Sequence, residues 1–192
     1  MSILNRPIPQ HFTAPRIVIR DDLAGQLRKE IEGYNQHADD LSAKWKELSA
    51  DVEAYQSARR KAGTNNVPFE VAMKDGVSLK NHLVAFYAEF VAHYENWFAL
   101  AEKAGKAYDK LLTQTKKALD AREKEIRKAM QASGVVLITD MEPVLRIEKH
   151  YLELKEQERT LSNALCACRS TTPGGRATTF FEVAKERLLE EL

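Results

Sequence analysis

Residues 27–55, LRKEIEGYNQHADDLSAKWKELSADVEAY, decide the fold. Within them Leu27, Ile31, Tyr34, Ala38, Leu41, Trp45, Leu48, Val52 and Tyr55 recur at alternating steps of four and three residues. That is a heptad seam, which keeps one stripe of a helix turned toward a partner helix. Arg28, Lys29, Glu32, Asp39, Lys44 and Lys46 fall largely outside the stripe and suit a solvated face.

On the N-terminal side, Asp21 and Asp22 suit a helix start, so the first long helix is expected from there to about Arg60. Residues 1–20 read as a non-helical arm, because Pro7, Pro9 and Pro15 interrupt helix formation. Arg16 to Arg20 reads Arg-Ile-Val-Ile-Arg, a short β-prone run with no clear strand partner in the sequence. The arm either folds along the helices or orders on a partner.

On the C-terminal side, Gly63, Asn65, Asn66 and Pro68 predict a loop over 61–77. A second helix is expected from Val77 or Ser78 to about Ala132, ended by Gly134. Its first half is aromatic: Phe86, Tyr87, Phe90, Tyr94, Trp97 and Phe98 make a face too wide for a two-helix coiled coil. A third helix is expected over about Met141 to Cys168, with Asp140 as N-cap and Glu158 breaking its seam. It should meet the first two near Leu83 to Leu100. After Thr171 to Gly175, Thr179 and Glu182 resemble a capping box and predict a short helix over 179–192. The fold class is therefore all-α: an elongated antiparallel helical bundle with coiled-coil segments, in which residues 21–192 form the bundle and 1–20 its arm.

The balance of 29 basic and 28 acidic side chains, formally +1, gives no global attraction to nucleic acid or an anionic membrane. No run of apolar residues is long enough to span a bilayer, and the first residues do not read as a secretory signal; cytoplasmic residence is the expectation. Cys166 and Cys168 sit two apart on a predicted helix, where a disulfide is strained and two thiols are too few for tetrahedral zinc; buried thiols are expected. His11, His37, His82, His93 and His150 form no metal-binding pattern, and Gly174, Gly175 and Arg176 lack the spacing of a phosphate loop. Neither cofactor nor metal is expected, and nothing combines a nucleophile, base and oxyanion site; the sequence is read as non-enzymatic.

These features point to a protein-interaction or assembly factor with a protein partner, self-association being one form of it. The candidate interface residues are Phe69, Tyr87, Val91 and Phe98. The alternative is nucleic-acid binding through the basic distal half of the second helix, with Lys116, Lys117, Lys124, Arg127 and Lys128 as candidate phosphate contacts. Asp120, Glu123 and Glu125 weaken that alternative. Membrane association through Leu83 to Leu100 is a third reading, disfavoured by Glu89, His93, Glu95 and Asn96.

Overall fold

A computed structural model describes every residue except 1, 2, 6, 10, 11, 21, 24, 63–68, 135–141 and 171–172, together with all side chains but those of Asn5, 61–75 and Pro143. Among the described residues the chain is all-helical, with no strand. The helices are α1 (Gly25–Ala62), α2 (Phe69–Ala132), α3 (Glu142–Leu145), α4 (Lys149–Arg169) and α5 (Gly175–Glu191), with a 3-10 turn at Ile3–Asn5. None of these helices is long and apolar enough to cross a membrane. Two compact units emerge: residues 1–17, 29–100 and 171–192 form one, residues 18–28 and 101–170 the other.

In the first unit the seam of α1 is buried at Ile31, Ala38, Leu41, Trp45, Leu48 and Val52. Tyr34 meets His93, Lys44 meets Glu89, and Tyr55 meets Gly76, so residue numbers rise along α1 as they fall along α2. At Gly76 a Cβ would stand 2.6 Å from the Tyr55 hydroxyl, so glycine permits this close approach. The predicted loop over 61–77 is shorter than expected. Helix α1 runs on to Ala62 and α2 already begins at Phe69, leaving 63–68 outside the described residues.

The wide aromatic face of α2 is covered by the arm and α5. Phe12 reaches Phe90 at 4.8 Å and Phe180 at 4.2 Å, and Phe180 lies edge-on to Trp45 at 4.7 Å. The third helix was expected at this junction; within the first unit it is the arm and α5 that pack there. Trp97 is buried but faces the arm, its indole N–H donating to Arg16 O at 3.3 Å.

Beyond the turn at Ile3–Asn5 the described arm residues form neither helix nor strand, and side chains of the helices satisfy its backbone. Gln56 donates to Leu4 O, Arg187 to Pro7 O and Trp45 Nε1 to Pro9 O. Asn35 pairs with Ile17, and Arg16 contacts Asp39. Ile3, Leu4, Ala14 and Ile17 are buried. A buried segment outside helix and sheet needs such partners, because buried peptide groups left unpaired are costly.

In the second unit α2 buries Tyr108, Leu112, Thr115, Leu119 and Ile126, and α4 buries Leu161, Ala164 and Leu165. The Tyr108 hydroxyl donates to Val18 O at 2.7 Å. The expected third helix is interrupted. Helix α3 ends at Leu145, and Glu148 caps α4 by accepting from His150 N at 3.3 Å and Tyr151 N at 2.6 Å. Arg122 of α2 holds the same carboxylate at 3.0 Å. The final helix starts at Gly175, with Gly174 as N-cap and no side-chain cap. The expected capping box is therefore absent; the Thr179 hydroxyl, already inside the helix, donates to Gly175 O. Cys166 is exposed and Cys168 half-buried beside Gly105, correcting the expectation of two buried thiols.

Candidate interaction surface

Four apolar residues of α2 in the first unit repeat every seven positions: Val77, Val84, Val91 and Phe98. A seven-residue step returns a helix nearly to the same face, so they line one stripe about 32 Å long. Val77 is 57% and Phe98 44% exposed; Val84 and Val91 are half-buried. Phe98 stands on a fixed base, edge-on to Trp97 at 5.2 Å and to Tyr94 at 5.8 Å. Tyr94 is in turn stacked on Phe181 at 4.0 Å. Beside Val77, Lys80 is paired with Glu191, which also accepts from Ile3 N at 2.9 Å.

The structure divides the candidate interface residues. Val91 and Phe98 share the exposed stripe. Tyr87 does not belong to it: it is fully buried against Trp45 and Phe180, with its hydroxyl 3.5 Å from Arg187 Nη1. Phe69 is the first residue of α2, and its side chain lies outside the described residues. Sequence reasoning missed Val77 and Val84. Their signal was the seven-residue spacing to Val91 and Phe98, obscured by assigning Val77 to the loop edge.

No family model, characterised protein or solved structure matches this chain.

The candidate phosphate contacts also separate. Lys117, Lys124 and Lys128 are exposed with no ion pair among the described residues. Arg127 pairs with Glu123 at 3.4 Å. Lys116 lines an open cleft of ≈ 660 Å³ with Leu112, Leu152, Lys155 and Arg159. The cleft's charges are largely matched internally, Lys155 with Glu158 at 3.0 Å and Arg159 with Glu156 at 2.8 Å.

One buried polar cluster lies between α1 and α2 in the first unit. His93 is 4% exposed, its ring stacked on Tyr34 at 4.1 Å. Its Nε2 lies 3.2 Å from Pro15 O. A carbonyl only accepts, so Nε2 carries the proton. Burial pushes the His93 pKa down to about 4; the Pro15 bond opposes this, His37 adds to it and Glu89 opposes it. His93 is therefore neutral near pH 7 and acts as a clasp on the arm. His82, eleven residues earlier, is exposed, so the two do not form a pair. Among the described residues no group of three or more His, Cys, Asp or Glu could hold a metal ion.

Proposed function

We propose that the chain is a non-catalytic protein-interaction or assembly factor of the cytoplasm, whose partner helix packs along Val77, Val84, Val91 and Phe98. The observation that carries this reading is Phe98, which keeps 44% of its surface exposed while its aromatic neighbours Phe90, Tyr94 and Trp97 are buried. A large aromatic held rigid at a surface binds with little loss of side-chain freedom. The seven-residue repeat suits a helix packed knobs-into-holes, the geometry of an antiparallel or parallel coiled coil. The bulk of the aromatic face is already satisfied within the first unit, so the partner is expected on this stripe and not on the face around Tyr87.

Sedimentation velocity over a wide concentration range, with the wild type and Phe98→Glu, tests the self-associating form. Concentration-dependent association that Phe98→Glu abolishes, with helix content unchanged, supports it. A wild type that stays monomeric throughout removes the second copy as partner.

A further inference from the structure

Helix α2 carries a second regular feature, in the second unit and independent of the apolar stripe. Lys103, Lys106, Lys110, Lys117, Lys124 and Lys128 are all exposed. Successive residues turn by about 100°, which places all six within roughly 40° of one line. The line runs for about 37 Å at 1.5 Å per residue. It lies opposite the buried row of Tyr108, Leu112, Thr115, Leu119 and Ile126, which explains why every lysine on it points to solvent. No acidic residue stands on the line; Glu102 and Asp120 lie about 70° to one side of it and Glu125 about 70° to the other. Lys106 pairs with Glu102 at 2.7 Å, whereas Lys110, Lys117, Lys124 and Lys128 have no ion pair among the described residues.

We propose that this ridge binds the phosphate backbone of nucleic acid, without reading its sequence. Lysine presents a flexible point charge, and the ridge includes no arginine fork or aromatic platform for a base edge. A duplex carries one negative charge per about 1.7 Å of axis, so a single file of cations meets a phosphate in any register. An acidic helix would need carboxylates in matching seven-residue spacing. An anionic bilayer is matched less well, because Thr113, Gln114 and Ala121 beside the ridge offer no apolar anchor. Of the basic residues singled out in the sequence, Lys117, Lys124 and Lys128 belong to the ridge. Lys116 and Arg127 do not, and Lys103, Lys106 and Lys110 extend it.

Fluorescence anisotropy of the full chain with a labelled duplex, between about 50 and 200 mM salt, tests the proposal. Contacts from four to six lysines give a log–log salt slope between about −3.5 and −5.5. The triple variant Lys110→Glu, Lys117→Glu, Lys124→Glu should bind at least about tenfold more weakly with a shallower slope. A control of equal net charge, Lys29→Glu, Lys46→Glu, Lys149→Glu, should bind like the wild type. Circular dichroism confirms that both variants are folded; if the ridge triple is not, the alanine versions replace it. No duplex binding overturns the proposal, as does an equal loss in both triples. Ridge-dependent flotation with phosphatidylserine vesicles and no duplex binding overturns it in favour of a membrane.

Discussion

The carboxamide of Asn35 pairs with both backbone groups of Ile17: Oδ1 accepts from the Ile17 N–H at 3.0 Å, and Nδ2 donates to its C=O at 2.8 Å. One side chain of a helix thus does for an extended residue what a neighbouring strand does in a sheet. Ile17 is 3% exposed, so water cannot readily replace either bond. Asn35→Ala should cost about 2–4 kcal/mol, because two buried backbone groups lose their partners. Asn35→Asp keeps the acceptor but sets a carboxylate oxygen against the Ile17 carbonyl oxygen, so at neutral pH it should be no more stable than the alanine variant. Urea denaturation measures all three; an alanine variant as stable as the wild type would show that the arm is not held here.

Phe90 is fully buried among Phe12, Phe86, Tyr94 and Phe180. Phe90→Ala should destabilise the protein by about 3–5 kcal/mol. Lys117→Ala, on an exposed helix face, should change stability by less than about 0.5 kcal/mol. Thermal melts distinguish them, and equal melting temperatures for Phe90→Ala and wild type would remove Phe90 from the core.

The pH dependence of stability should carry the signature of His93. Its folded pKa, about 4, lies below the ordinary histidine value of 6.5, so the unfolded chain takes up the proton first. The contribution is fully present above about pH 6.5 and is lost as pH falls through about 4; across that window it amounts to about 3 kcal/mol. Urea unfolding at neutral and mildly acid pH should show the decline, and His93→Gln should flatten it. An NMR titration placing the His93 midpoint at or above 6.5 would contradict this assignment.

Glu148 should titrate in the opposite sense to a buried carboxyl. The hydrogen bonds from Arg122, reinforced by the amides of Tyr151 and His150, hold its pKa down to about 2. Its contribution is present above the ordinary carboxylate range and is lost as pH falls toward 2. Arg122→Met should raise the Glu148 midpoint measured by NMR, and Glu148→Ala should lower the melting temperature at pH 7. An unmoved midpoint in Arg122→Met would show that the amides alone set it.

The helices were legible because their signals are local. The α1 seam from Ile31 to Val52 is buried at every position but Tyr34, which is half-buried, and Gly134, at φ 79°, closes α2 where a glycine was expected to. What escaped was long-range. The β-prone run at 16–20 found its hydrogen-bonding partners in Asn35, Trp97 and Tyr108, none of which advertises that role locally. Glu148 reads as another charged helical residue until Arg122 arrives from α2. Tyr87 and Phe98 are indistinguishable as aromatics in one run; only Phe180 and Trp45 covering Tyr87 tell them apart.

The clasp on the arm takes hold of carbonyl oxygens at Leu4, Pro7, Pro9, Pro15, Arg16 and Ile17, in addition to the burial of the Leu4 and Ile17 side chains and the contact of Arg16 with Asp39. Every residue type has that oxygen. Replacing an exposed arm residue such as Thr13 removes none of these bonds, whereas replacing Gln56, Arg187, Trp45, His93, Trp97 or Asn35 removes one or two. The shape of the arm is thus encoded in two places: in its own buried residues Ile3, Leu4, Ala14 and Ile17, and in side chains far from it in the chain that hold its peptide oxygens.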